Sequence, residues 1–179
     1  MPARRADAER NRDKILAAAR AVFTDPAATV SMAEISRRAG VGMPTLYRHF
    51  PGRGELLEAL FTDEVDAVCA AARTVDGQTP GAALIAWPHR LFAFLANKRH
   101  IAPELLRHAD GSNPIFDNGR NRVLAAGRPL VAAAQHSHEI RGDLTLEQIL
   151  DLVKAVASIP GDAEYVGAIL RATFDGLRG

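Results

Sequence analysis

A chain of 179 residues has room for one or two small domains and can bury roughly 70% of the surface its unfolded form exposes, so no covalent staple is required. Its single cysteine, Cys69, excludes an internal disulfide and argues against a cysteine-based zinc site, which fits a reducing, cytoplasmic setting. Net charge is only +1 but uneven: residues 1–50 hold nine Lys/Arg against five Asp/Glu, and residues 51–179 hold thirteen against sixteen. A basic head on a mildly acidic body suits a polyanion partner, although an imbalance of this size also arises by chance. No apolar run nears the ~20 residues needed to span a bilayer, so no membrane partner is expected. The opening MPARRADAERNRDK has no apolar core of the kind a signal peptide needs.

In chain order, residues 1–8 read as a flexible basic arm whose Arg4 and Arg5 either reach a nucleic acid or are simply solvated. A first helix is predicted from about Glu9 to Phe23, because Ile15, Leu16, Ala19, Val22 and Phe23 recur at helical spacing. Asp25-Pro26 ends it. Ser31 and Glu34 fit a reciprocal capping box that opens a second helix. There Met32, Ile35 and Ala39 can pack inward while Arg37 and Arg38 stay in water. Gly40 suits the left-handed residue after that helix, and Val41 plugs the turn into the core. Pro44 fits the first turn of a third helix, where its missing N–H costs nothing. Leu46 and Phe50 anchor that helix, leaving Thr45, Tyr47, Arg48 and His49 largely outward. Two short helices about a glycine turn form the helix-turn-helix pattern, whose second helix normally lies in the DNA major groove.

A longer fourth helix is predicted from Pro51 to about Arg73, and the turn-rich TVDGQTPG from Thr74 to Gly81 reads as the boundary between head and body. A fifth helix covers about Ala82 to Lys98, with Pro88 expected to kink it or break its first turn. Residues 99–113 suggest a short helix around Pro103–His108 and then a loop. From Pro114 a helix or helix pair runs to about His138, interrupted near Gly127-Arg128-Pro129. Arg141-Gly142-Asp143 is a turn. Thr145 and Gln148 offer a second capping box for a helix reaching about Ser158, and Asp162 caps the last helix, through about Leu177. With no alternating β-branched stretches, the fold class is all-α. The domains are then an arm over 1–8, a DNA-binding head over 9–73 and a helical body over 80–179.

The string AGVGMPTLYRHFPGR at Ala39–Arg53, preceded by SMAEIS and followed by ELLEALF, resembles the N-terminal domain of the tetracycline-repressor (TetR) family of bacterial transcriptional regulators. The first-helix string ILAAARAVF is similar to that family as well. The resemblance covers roughly residues 9–68, and its core, G-V-x-x-x-T-L-Y-x-H-F, is far more specific than a generic helix-turn-helix. The ending QHSHEIRGDLTLEQILDLV looks like one subgroup of the family's regulatory domains. The resemblance implies about nine helices, a three-helix DNA-binding domain, and a C-terminal effector and dimerisation domain. It implies a homodimer whose recognition helices enter successive major grooves of a pseudo-palindromic operator, and a small-molecule effector that shifts their separation. Carried onto this chain, Thr45, Tyr47 and His49 match positions that touch phosphates or bases. Met43, Pro44 and Arg48 fall where base readout varies, and Arg53 stands where a Lys usually meets a phosphate. Ser31, at the start of the second helix, completes the DNA-binding set. Two departures stand out: TDPAAT lacks the family's usual glycine after the first helix, and Pro51-Gly52-Arg53-Gly54 carries two glycines.

Each site residue also has a plainer reading. Tyr47 can project toward the DNA backbone or a thymine methyl, or pack half against the first helix. Thr45 can donate to a phosphate or only support the helix start. His49 needs a single N–H to meet a phosphate, or is a solvated histidine. Arg48 can fork onto guanine O6/N7, or touch phosphate alone. In the body, Trp87, Leu91, Phe92, Leu95, Leu106, Phe116 and Leu124 are candidates for an effector pocket, with ordinary core as the alternative. Leu146, Ile149, Val153, Val156, Val166, Ile169, Leu170, Thr173 and Phe174 are candidates for a twofold interface of the last two helices, or for closure of the monomer's own core. The histidines lack cysteine partners or an i, i+4 pair, so no metal site is expected, nor any cofactor. None of G-x-S-x-G, G-x-x-x-x-G-K-[ST], H-E-x-x-H or G-x-G-x-x-G occurs, so no enzyme is expected. The expected function is a ligand-responsive repressor; the alternatives are an activator of the same fold or a helical interaction module that does not bind DNA.

Overall fold

The structure, a computed structural model, describes residues 2–25, 30–92 and 114–178. Over these residues it is all-α, with eight helices. They are α1 (Pro2–Thr24), α2 (Met32–Ala39), α3 (Met43–His49), α4 (Arg53–Thr74), α5 (helical over 80–92), α6 (Pro114–His136), α7 (Leu146–Ala157) and α8 (Ala163–Asp175). The helix expected around Pro103–His108 lies outside the described residues. The only extended pairing among the described residues is an isolated antiparallel bridge between Ile140 and Arg178. The described residues fall into two units, 2–25 with 30–63 and 64–92 with 114–178, so the division lies inside α4.

In the first unit, α1 begins seven residues earlier than its apolar stripe predicts: the stretch expected as an arm is helical from Pro2. Pro2 suits a first helical position, and the Ala-, Arg- and Glu-rich residues that follow are strong helix formers. An Asp7–Arg10 ion pair adds i,i+3 support. The predicted stripe of Ile15, Leu16, Ala19, Val22 and Phe23 is buried, together with Ile35, Ala39, Leu46, Phe50, Leu56, Leu57 and Leu60. Each fully buried Leu or Ile in such a core contributes about 1.5–3 kcal/mol. Arg20 of α1 pairs with Asp63 of α4, and the Arg12 guanidinium lies 5.8 Å from the centre of the Phe50 ring.

In the second unit, Trp87 of α5 is fully buried, and its indole N–H donates to the Val68 carbonyl of α4 at 3.0 Å. Gly127 of α6 lies against that ring: a Cβ at Gly127 would stand 2.4 Å from Trp87 Cη2. This close approach explains why the Gly127-Arg128-Pro129 interruption does not occur and α6 runs unbroken from Pro114 to His136. Gly127 is spent on helix packing rather than on a turn. Pro129 and Ala125, whose carbonyl the proline cannot serve, are both exposed, so water can replace the lost bond. The chain also stays helical through Pro88, which sits past the first turn of α5. Val123, Val131, Ala134, Ile149, Val153, Leu170 and Phe174 complete this core. Burial raises the pKa of the Cys69 thiol, which leaves it a poor nucleophile.

Candidate nucleic-acid interface

The interface is built from the ends of α2 inward. Ser31 is the N-cap of α2, its hydroxyl accepting from the Glu34 N–H at 3.1 Å. Only this half of the expected capping box forms. The Glu34 carboxylate is taken instead by Arg37, through Nε at 2.8 Å and Nη2 at 2.7 Å, and by Arg38 Nε at 2.6 Å. Two guanidiniums outcompete one backbone N–H because charge-assisted bonds are stronger. They hold the Glu34 carboxyl at about 2, through the hydrogen bonds from Arg37 and then Arg38. Arg38 also reaches Asp25 at 3.1 Å.

Gly40 closes α2 at φ 65°, the left-handed geometry that a Cβ disfavours, as expected. The turn is then fixed by a residue the sequence reading missed. Ser36 is buried, and its hydroxyl donates to the Val41 carbonyl at 2.6 Å. The signal was available: Met32, Ile35, Ser36 and Ala39 share one helical stripe, and a hydroxyl in a buried stripe needs a partner. Val41 itself is only half-buried.

In α3, Gly42 is the N-cap and Pro44 lies in the first turn. Leu46 is fully buried and Phe50 nearly so. Between and around these anchors, Pro44, Tyr47 and Arg48 are exposed, while Met43, Thr45 and His49 are half-buried. Tyr47 is one of three large apolar side chains among the described residues that remain exposed, at 46%. Arg48 Nη2 donates to Thr45 Oγ1 at 3.0 Å, and the His49 ring lies tilted beside Phe50.

Arg53 is the first residue of α4 and is engaged within its own unit. Its Nη1 donates to the Val30 carbonyl at 2.9 Å, and its guanidinium lies 5.8 Å from the centre of the Phe23 ring. It thus ties the start of α4 to the end of α1 and to the entry of α2. A delocalised, weakly hydrated guanidinium can sit on an aromatic face where the lysine usual at this position would keep its water.

In the second unit, Trp87, Leu91 and Leu124 are buried, and Phe92 and Phe116 are half-buried. Leu95 and Leu106 lie outside the described residues. The Trp87 indole N–H is taken by the Val68 carbonyl and its ring lies against Gly127. Of the interface candidates, Leu146, Ile149, Val153, Val156, Val166, Leu170 and Phe174 are covered by their own chain, and Ile169 and Thr173 keep part of their surface. These seven are buried within the unit's own core. The apolar side chains that α7 and α8 leave exposed are different ones: Leu152 at 41%, Tyr165 at 58%, and the small Ala155, Ala168 and Ala172. The Thr145–Gln148 capping box forms in both directions, at 3.2 and 2.8 Å, and Asp162 caps α8. No helix among the described residues is long and apolar enough to cross a membrane.

Residues 15–60 match the family described as bacterial regulatory proteins, tetR family, and residues 79–179 match the transcriptional regulator SbtR-like C-terminal domain. The crystal structure of a TetR transcriptional regulator from Streptomyces coelicolor is 34% identical, over 93% of this chain and 98% of that one, with a TM-score of 0.79. A TetR transcription regulatory protein from Mycobacterium vanbaalenii is 31% identical, over 98% and 99% of the two chains, with a TM-score of 0.77. Salmonella enterica GusR, at 24% identity and a TM-score of 0.65 over 94% and 95% of the chains, shares the fold. No curated protein matches. The family is one of non-enzymatic regulators. A helix-turn-helix that leaves Pro44, Tyr47 and Arg48 exposed, and relatives similar along nearly the whole chain, lead to one assignment: the chain belongs to the TetR family of DNA-binding transcriptional regulators, with an SbtR-like C-terminal domain.

Proposed function

We propose that the protein is a homodimeric repressor that holds a pseudo-palindromic operator through α3 and lets go when a small molecule binds its second unit. The observation that carries this reading is the division of α3 into two buried anchors, Leu46 and Phe50, and an outward set led by Tyr47 and Arg48. Tyr47, Thr45, His49 and the N-cap region of Ser31 serve the phosphates, and Met43, Pro44 and Arg48 serve base edges. Phosphate contacts orient the protein, and base contacts specify sequence. Arg53 serves a phosphate at the start of α4, while the bond from its Nη1 to the Val30 carbonyl and its contact with the Phe23 ring brace that helix end.

The twofold contact is placed on the outer face of α7 and α8, where Leu152 and Tyr165 stand exposed and Ala155, Ala168 and Ala172 allow close helix approach. The effector site would lie around Leu91, Phe92, Phe116 and Leu124, where two phenylalanines keep part of their surface while the leucines are buried. By linkage, an effector that releases the operator binds free protein more tightly than DNA-bound protein.

Selection of bound sequences from a random DNA pool tests the reading directly, and a twofold-symmetric motif is expected. With about eight phosphate contacts per dimer, the log–log salt slope of binding should be about −7. Tyr47→Ala should weaken operator binding at least tenfold while helix content and unfolding midpoint hold. A flat salt response would overturn the DNA-binding reading, and a Tyr47→Ala chain that unfolds would make Tyr47 structural rather than a contact.

A further inference from the structure

The hydrogen bond between Thr45 and Arg48 suggests a division of labour on α3 that neither residue type implies alone. Arg48 is exposed and three residues after Thr45, so the two side chains stand one above the other on the outward face. The Arg48 Nη2 group donates to Thr45 Oγ1 at 3.0 Å. A hydroxyl has one proton to give and two lone pairs to accept with. Arg48 uses a lone pair, so the Thr45 O–H remains able to donate to a phosphate oxygen at the same time.

We propose that Thr45 is the positioning residue for Arg48: it couples a backbone phosphate to the base-reading guanidinium through one hydroxyl. This deepens the reading of Arg48 as a base contact and rests on it. Three physical steps support it. An unrestrained arginine spreads over many rotamers, and ordering it on a guanine edge costs much of that freedom. The bond to Thr45 settles part of the ordering before DNA arrives, and a guanidinium has four further N–H groups for O6 and N7 of guanine. A hydroxyl that donates to an anionic phosphate becomes a better acceptor, so docking on the backbone strengthens the tether. Thr45 itself is held: its N–H donates to the Gly42 carbonyl at 2.9 Å, and the neighbouring Leu46 is fully buried.

The test uses the full-length protein and the duplex operator selected from a random pool, together with duplexes substituted at each base pair of a half-site. Wild type, Thr45→Val, Thr45→Ser, Arg48→Ala and the Thr45→Val/Arg48→Ala pair are compared, with circular dichroism confirming helix content and Thr45→Ala standing in should the valine fail to fold. Thr45→Val is expected to weaken all duplexes and, in addition, to lower discrimination at one base pair by about threefold to tenfold, the worth of one hydrogen bond. That base pair should be the one where Arg48→Ala abolishes discrimination. Thr45→Ser should restore it, and in the Arg48→Ala background Thr45→Val should add nothing at that position. If Arg48→Ala flattens a position and Thr45→Val leaves it sharp while weakening every duplex alike, Thr45 is a phosphate contact only and the inference is wrong. If Arg48→Ala leaves discrimination unchanged everywhere, the base-reading assignment of Arg48 falls, and the inference with it.

Discussion

Helix α3 and the pair α7–α8 pose the same problem with opposite outcomes. In α3, seven residues carry a single fully buried apolar side chain, Leu46, with Phe50 just beyond, and apart from the partly covered Met43 at its start everything else on the helix is polar, small or aromatic with a hydroxyl. One short stripe leaves one possible orientation, so the outward residues follow directly from the spacing. In α7 and α8 apolar residues are too many for one stripe each. The large branched ones, Ile149, Val153, Val166 and Leu170, close the monomer, and the outward face falls to Leu152, Tyr165 and alanines. Outward residues are legible where polar chemistry marks them. Where two apolar faces compete, only packing decides which is inside.

The largest expected effects test that contrast. Leu46→Ala in α3 and Ile149→Ala in α7 should each cost about 2–5 kcal/mol, since both side chains are almost fully covered. For Ile149→Ala the loss should be the same at low and high protein concentration, because a core contact does not depend on a partner. Leu152→Asp should do the reverse, leaving the unfolding of the subunit within about 0.5 kcal/mol while weakening self-association. Denaturant titrations at two concentrations, paired with sedimentation, separate these outcomes. An Ile149→Ala chain that keeps its midpoint but becomes monomeric would put Ile149 at the twofold and reverse the contrast.

The same logic explains what could be read from the sequence and what could not. Helix ends were legible where one side chain and one backbone group suffice: Ser31, Gly40, Thr145 with Gln148, and Asp162 all sit where their chemistry places them. Gly127 was misread because a glycine beside a proline signals a turn locally, yet its missing Cβ serves the Trp87 ring forty residues away in sequence. For Arg53, nothing local reveals that Phe23 and the Val30 carbonyl lie within its reach. Its charge is visible in the sequence, and its partner is a tertiary fact.

The two capping boxes narrow the contrast to single hydrogen bonds. Ser31→Ala and Thr145→Ala should each cost about 1 kcal/mol, since each removes an N-cap acceptor. Their N3 residues should then diverge. Gln148→Ala loses a real second bond, to the Thr145 N–H at 2.8 Å, and should cost about 0.5 kcal/mol more than a substitution at an uninvolved surface site. Glu34→Ala leaves the Ser31 cap in place and instead releases Arg37 and leaves Arg38 with Asp25 alone. Thermal unfolding of the four variants measures the difference; equal effects at Gln148 and Glu34 would mean that the half box of α2 is complete in solution.

Glu34 supplies the smallest and most specific expectation, because it is read by titration rather than by stability. Hydrogen bonds from Arg37 and Arg38 hold its carboxyl at about 2, below the ordinary glutamate value of about 4.3 that the unfolded chain would show. A group whose folded pKa is depressed favours the folded state above the unfolded pKa, and that contribution fades as pH falls through the folded value. The Glu34 pairing should therefore be fully present at neutral pH, and fade between about pH 4 and pH 2. A carboxyl-selective NMR titration should show Glu34 still ionised at pH 3, where an ordinary glutamate is mostly protonated. In Arg37→Ala its midpoint should rise partway, because Arg38 Nε still donates to the same carboxylate, and in Arg37→Ala/Arg38→Ala it should return to the ordinary range. A wild-type midpoint near 4.3 would mean the two arginines are not engaged by Glu34 in solution. Arg37 would then stand free of Glu34 at the edge of the helix-turn-helix and Arg38 would keep only Asp25, leaving more positive charge on the surface proposed to meet DNA and steepening the salt dependence of binding.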